Sequence, residues 1–139
     1  MMTPDQMAHL HARAFAGQGR AWSAQEFAGL LDSPHVFVVG DTRSFACGRV
    51  VADEAELLTI ATDPDHRGRA LGRACLAGFE AEIRARGAGR AFLEVAEDNI
   101  AAVTLYLSAG YAEIARREGY YHTPDGRSVA ALVLQKTLS

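Results

Sequence analysis

The stretch "ELLTIATDPDHRGRALGRACL" (56–76) changes character twice. "ELLTIAT" (56–62) has the apolar and branched residues of a strand, and from Leu71 the apolar residues recur at helical spacing. Between them stand Arg67 and Arg69 around Gly68, followed by Gly72 and Arg73 in the first helical turn. The spacing predicts a helix over 71–86, with Leu71, Ala74, Cys75, Phe79 and Ile83 inward and Glu80, Glu82, Arg84 and Arg86 mostly outward. "GAG" (87–89) ends it and "RAFLEV" (90–95) reads as a second strand. A strand, helix, strand unit closes most simply as a right-handed crossover between parallel strands.

Working outward, "HVFVVG" (35–40) and "SFACGRVV" (44–51) form an antiparallel meander with 56–62. Two helices precede it. The first is capped at Thr3, has Pro4 in its first turn, turns Met7, Leu10, Ala14 and Phe15 inward and stops at Gly17; the second starts at the capping box "SAQE" (23–26) and runs to about Leu31. Downstream, "AEDN" (96–99) is a loop with capping residues, 100–109 a short helix closed by Gly110, and "YAEIARREGYY" and "SVAALVLQKT" a hairpin around "TPDG" (123–126). The fold class is therefore α+β, a mixed sheet flanked by helices. With 139 residues and 49% hydrophobic content, the chain is expected to form a single domain spanning 1–139.

Composition excludes several roles. A net charge of −3 gives no overall basic field, and the arginines of the loop lack interleaved aromatic platforms, so neither nucleic acid nor membrane is an expected partner. The start of the chain lacks the pattern of a signal peptide and no run of 18 apolar residues occurs, so a cytoplasmic protein is expected. Cys47 and Cys75, each among apolar neighbours, read as reduced core residues, and Cys75 as inert packing rather than a nucleophile. The histidines at 9, 11, 35, 66 and 122 have no ligand spacing, so no metal is expected; His66 reads as a solvated loop residue.

The arginine loop leaves two readings open. A helix N-terminus with nearby glycines and arginines can hold a phosphate group, and the same residues can form an ordinary solvated loop. "GRALGR" is not a Walker A loop, lacking Gly-Lys-Ser/Thr, and no G-x-G-x-x-G is present.

The combined pattern resembles the GNAT superfamily of acyl-CoA-dependent N-acetyltransferases. "RGRALG" (67–72) fits that family's phosphate loop Q/R-x-x-G-x-G/A, with Ala70 where its first glycine belongs. "LEVAEDNIAAVTLYLSAGY" (93–111) and "RREGYY" (116–121) are similar to the bacterial ribosomal-protein-alanine N-acetyltransferases of that superfamily. The resemblance covers roughly residues 36–134 and implies acetyl-CoA as acyl donor, bound by Arg67, Gly68, Arg69, Ala70, Leu71, Gly72 and Arg73. It also implies a strand at Leu58, Thr59, Ile60, Ala61 and Thr62 that splays from its parallel neighbour, leaving backbone groups free for pantetheine and for the thioester oxygen. By the same resemblance Glu94 is the general base, Tyr106 the general acid and a cofactor contact, and Asn99 a contact to the pantetheine arm.

From position alone, Glu94 is equally a solvent-facing strand residue. Tyr106 reads as lying near the Asn99 face of its helix, away from an Ile100, Val103 and Leu107 stripe, or else as half-buried packing. Tyr120 and Tyr121 wall a peptide N-terminus or serve core and edge, and Glu97 and Asp98 meet a basic substrate segment or act as caps. Three features depart from the family: Ala70, an acidic residue before the last strand replaced by "SVAA" with Ala130, and a first strand absent or truncated. If Ala70 needs a positive φ, cofactor binding is weakened or the loop shifted.

The expected function is acetyl transfer to a protein's N-terminal α-amine within a ternary complex, by a monomer or weak dimer. The rivals are a transferase of the same fold acting on a small amine and a non-catalytic CoA-binding module.

Overall fold

The computed structural model describes residues 2–15, 21–122 and 125–138. In chain order the elements are α1 (Pro4–Ala14), α2 (Ala24–Leu31), β1 (Val36–Asp41), β2 (Ser44–Val51), β3 (Glu54–Thr62), α3 (Leu71–Ala85), β4 (Arg90–Ala96), α4 (Ile100–Ser108), β5 (Ala112–His122) and β6 (Ser128–Thr137). Both expected N-terminal caps form. The Thr3 hydroxyl accepts from the Gln6 N–H at 3.1 Å and the Gln6 side chain returns a bond to the Thr3 N–H at 2.9 Å; Ser23 and Glu26 repeat the exchange at 3.1 Å each way. The expected stop at Gly17, and Thr123 and Pro124 of the hairpin turn, lie outside the described residues.

One six-stranded sheet runs β1-β2-β3-β4-β6-β5, parallel between β3 and β4 and antiparallel elsewhere. The parallel pairing is short: Glu54–Leu57 face Arg90–Leu93, and there it ends. At that point Cys47 of β2 sits opposite Thr59 while Gly48 sits opposite Leu57, so Leu58 is an extra residue, a bulge in β3. A one-residue insertion inverts the side-chain alternation and bends the strand. Ala55 and Leu57 face the α3 side before it, Ile60 takes that side after it, and Ala61 joins the core under α1 and α2. β3 then follows β2 to Thr62, while β4 follows β6 to Ala96. The two strands part as expected, and among the described residues, 58–62 have no strand partner on the β4 side.

Each face of the sheet carries a core. On one, Leu76, Phe79 and Ile83 of α3 pack with Leu57, Leu93, Leu132 and Leu134; on the other, Met7, Leu10 and Phe27 cover Phe45 and Cys47. Phe37 and Phe79 stack at 6.0 Å directly over Gly48, where a Cβ would lie 2.6 Å from the Phe79 ring and 2.8 Å from that of Phe37. Both cysteines are buried and free, and burial pushes the Cys47 thiol up to about 11.

Two inward faces differ from the periodicity. Glu80 is not outward but only 7% exposed, because partners from distant elements meet its carboxylate. On α4, Ile100 and Leu107 are 69% and 51% exposed, and Tyr106, at 5%, is the buried residue. "IAAVTLYLS" is apolar almost all round, so its period selects no face; its C-terminus does. Gly110, at φ +99°, closes a Schellman turn in which its N–H bonds the Leu107 carbonyl at 3.1 Å and the Tyr111 N–H bonds that of Tyr106 at 3.0 Å. This turn lays the Tyr111 ring edge-on to that of Tyr106, with centroids 6.0 Å apart.

Gly48→Ala is expected to cost about 2–3 kcal/mol in urea unfolding, as the new methyl enters two stacked rings. A loss below about 0.5 kcal/mol would contradict the packing described.

Candidate active site

The loop between β3 and α3 delivers the chain into α3 through Ala70, which has φ +59° and ψ 20°. That left-handed conformation strains a residue with a Cβ, so the departure at Ala70 falls on a position that does call for glycine. Among the described residues no side chain caps the start of α3. Its first turn faces a cleft of about 450 Å³ walled by Ile60, Ala61 and Thr62 of β3, by Arg67, Gly68 and Ala70–Arg73, and by Asn99 and Leu105 of the α4 segment.

The charge of this loop is one-sided. Arg67 donates to the Ala14 carbonyl at 3.1 Å, Arg73 to the Ser108 hydroxyl at 3.0 Å, and Arg69 meets His66 Nδ1 at 3.1 Å. None of these three guanidiniums pairs with a carboxylate among the described residues. The two acids beside them, Asp63 and Asp65, are both engaged by Arg13 of α1 at 3.0 Å, and this bonding holds the Asp63 carboxyl below its usual range. A ligand in the cleft meets cations and amide N–H groups, the arrangement that suits a polyphosphate. Arg69 is not part of the cleft wall, whereas His66, expected to be solvated, is.

A second cleft, of about 200 Å³, opens where β3 and β4 part. It shares Phe15, Ile60, Asn99 and Ala102 with the first, so the two adjoin. Leu58 and Thr59 line it from β3, Glu94 from β4, Tyr106 from α4 and Tyr121 from β5. Glu94 lies between buried Leu93 and Val95 and points to the other face, where Arg117 Nε stands 3.7 Å from its carboxylate. The Tyr106 hydroxyl makes no hydrogen bond among the described residues, and no fully enclosed side-chain oxygen there lacks a partner; the hydroxyl therefore reaches the cleft. Burial raises its pKa, so it is protonated throughout the neutral range. The Tyr121 phenol is raised as well, by burial and then by the charge of Glu94.

Asn99 caps α4, its side-chain oxygen accepting from the Ala102 N–H at 3.3 Å, and so stands at the junction of the clefts. Tyr120 is not brought in: it is 49% exposed, with Arg117 over its ring at 5.1 Å. Glu97 is neither a cap nor free, since the Arg116 guanidinium binds it and keeps its carboxyl low; Asp98 lies 4.0 Å from Arg127. Ala130 is buried within β6, and its carbonyl accepts from the Glu97 N–H at 2.9 Å. Cys75 is buried, its thiol donating to Ser44 at 3.3 Å and raised by burial. Among the described residues no three His, Cys, Asp or Glu side chains converge as a metal site.

Sequence reasoning missed His11, Phe15 and Trp22 as cleft residues. His11 is 2% exposed, stacked on Phe15 at 4.2 Å and Trp22 at 5.2 Å. Its Nδ1 accepts from the Trp22 N–H at 3.1 Å, which assigns the proton to Nε2, the donor to Thr59 Oγ1 at 3.1 Å. Position 11 lies on the face of Met7 and Ala14, and only its polar type disguised it.

The profile of the Acetyltransferase (GNAT) family matches residues 5–111, and the chain belongs to that family. It is 44% identical over 94 residues to the [ribosomal protein bS18]-alanine N-acetyltransferase of Escherichia coli (strain K12), a match spanning 68% of this chain and 64% of the relative. To the N-alpha-acetyltransferase RimI of Mycobacterium tuberculosis it is 37% identical over 123 residues, 82% of this chain and 75% of that one. The crystal structure of the ribosomal-protein-S18-alanine N-acetyltransferase from Escherichia coli superposes with a TM-score of 0.87 at 34% identity, covering 98% of this chain and 88% of that one. The expected fold is the observed one. No helix among the described residues is long and apolar enough to cross a membrane.

Since Ala70 alone carries the left-handed strain at the α3 start, Ala70→Gly is expected to raise stability by about 0.5–1 kcal/mol in chemical denaturation. A loss of stability on that change would contradict the loop conformation.

Proposed function

We propose that this chain is an acetyl-CoA-dependent N-acetyltransferase acting on the N-terminal α-amine of a protein, by direct transfer within a ternary complex. The observation that carries the reading is the junction of the clefts: the unpartnered 58–62 edge of β3 leads from a cationic helix start to the Glu94 carboxylate and the Tyr106 hydroxyl. The residues present fit coenzyme A. Arg67, Arg73 and the uncapped amides of α3 suit its diphosphate, and the β3 edge and Asn99 suit the amide-bearing pantetheine arm. Bound acetyl-CoA supplies an activated acyl group as a thioester.

The chain supplies the rest. A backbone N–H within 58–62 meets the thioester oxygen as negative charge develops on it. Glu94, directly or through water, receives the proton of the incoming ammonium. An α-amine, with an ordinary pKa near 7.7–8.0, needs only that modest pull. The amine nitrogen then bonds to the acyl carbon as the carbon–sulfur bond breaks; Tyr106, kept protonated by burial, donates its proton to the departing sulfur, and the proton that the new amide nitrogen sheds passes through water to restore the phenol. Trp22 and Tyr121 flank the side on which an acceptor chain would enter. Relatives named for N-acetylation of a ribosomal protein's alanine make an alanine-initiated chain the first acceptor to test, and the reaction belongs in the cytoplasm, where ribosomal proteins are made.

Two outcomes are expected. With acetyl-CoA, peptides beginning with alanine release CoA far faster than free amino acids or polyamines, and Tyr106→Phe lowers kcat at least tenfold while acetyl-CoA affinity stays within twofold. Faster turnover of small amines would assign the chain to them, and unchanged kcat would remove Tyr106 from the reaction. The pH profile follows from the same groups: kcat/KM rises as the acceptor amine loses its proton near pH 8. Because burial raises the Tyr106 pKa, the protonated donor persists to higher pH than a free phenol and no descending limb appears below about pH 10. A fall beginning near pH 9 would contradict its burial.

A further inference from the structure

Glu80 lines neither cleft, yet it is a buried carboxylate with a complete set of partners. Lys136 Nζ of β6 donates to Oε1 at 2.8 Å, the Tyr111 hydroxyl donates to Oε2 at 3.0 Å, and Arg84 of the same helix stands at 3.8 Å. A carboxylate is costly to bury unless paired and bonded in this way, and truncating one partner leaves the rest exposed to that cost. What the arrangement fixes is Tyr111. Its N–H is bonded to the Tyr106 carbonyl, its hydroxyl to Glu80, and its ring lies edge-on to the Tyr106 ring. Lys136 reinforces it, with its ammonium 5.7 Å from the Tyr111 centroid and its aliphatic stem against Gly110.

α4 needs such a device, because its own residues do not choose a face. With apolar side chains nearly all round, and with Ile100 and Leu107 already outside, turning the helix by one residue would exchange Tyr106 for Leu105 or Leu107 at little cost in burial. The ring behind Tyr106, held at its backbone and its hydroxyl, resists that rotation. We propose that Glu80 acts through Tyr111 as a positioning residue that keeps the Tyr106 hydroxyl in the second cleft, an inference that rests on the role given to Tyr106 above.

The test is a double-mutant cycle on the full chain with acetyl-CoA and an alanine-initiated peptide at 25 °C, comparing Tyr111→Phe, Tyr106→Phe and their combination with the wild type, with Tm recorded for each. Tyr111→Phe is expected to lower kcat at least fivefold, leaving KM for both substrates within twofold. In the Tyr106→Phe background the same change is expected to lower kcat less than twofold. A stabilising role alone would lower Tm and leave this split absent. Glu80→Leu provides a second route should Tyr111→Phe fail to fold, and is expected to show the same loss, whereas Glu80→Gln, which keeps one bond to each partner, stays within threefold of wild type. Wild-type kcat in Tyr111→Phe or Glu80→Leu, or an equal loss in both backgrounds, overturns the inference while leaving the catalytic reading intact. Unchanged kcat in Tyr106→Phe itself would instead reject the role of Tyr106, and the inference with it.

Discussion

The parallel contact between β3 and β4 lasts four residue pairs, and everything at the candidate site follows from its ending there. A longer ladder would satisfy the backbone of residues 58–62 with β4 and leave nothing for a ligand. The bulge at Leu58 prevents it by changing which side chains face each core: Leu57 points under α3, and Ala61 under α1 and α2. Restoring the ladder would require β3 to turn those apolar residues the wrong way. The open edge is thus held by the packing of two hydrophobic cores on opposite faces of the sheet, acting on the same stretch of β3 that lines the clefts.

Electrostatics completes what the splay begins. A chain of net charge −3 gathers Arg67, Arg69 and Arg73 at one helix start, while Arg13 engages the two nearby carboxylates. Around the second cleft the signs are balanced: Glu94 near Arg117, Glu97 with Arg116, Asp98 near Arg127. Most of these pairs are exposed and contribute little to stability, about 0–1 kcal/mol each. Their consequence is local, leaving a cationic end and a neutralised end along one edge of β3.

Much of this was legible in the sequence because it is written in local chemistry. Alternation, helical period and caps located α1–α4 and β1–β6 to within a few residues, and Arg67, Gly68 and Gly72, with Glu94 and Tyr106, whose roles only the family resemblance gave, line the adjoining clefts. What stayed hidden depends on distant partners or on parity. Glu80 is drawn inside by Tyr111 and Lys136, neither of them on its helix. α4 misled because an almost wholly apolar helix carries no periodic signal, and its orientation comes from the turn at Gly110. Tyr120 and Tyr121 are neighbours on a strand, so they point to opposite sides, and the irregularity between Arg117 and Tyr121 decides which of them enters the cleft. The sign of φ at Ala70 could not be read from an alanine.

The claim on which the account depends is that the free edge of β3 receives the pantetheine arm of the coenzyme. Amide hydrogen exchange of residues 58–62, followed by NMR with and without saturating coenzyme A, measures it directly. The account predicts that amides in this segment not bonded to β2 slow markedly when the coenzyme binds, together with those opening α3. Bound coenzyme that slowed the α3 amides and left the 58–62 segment exchanging as before would contradict it.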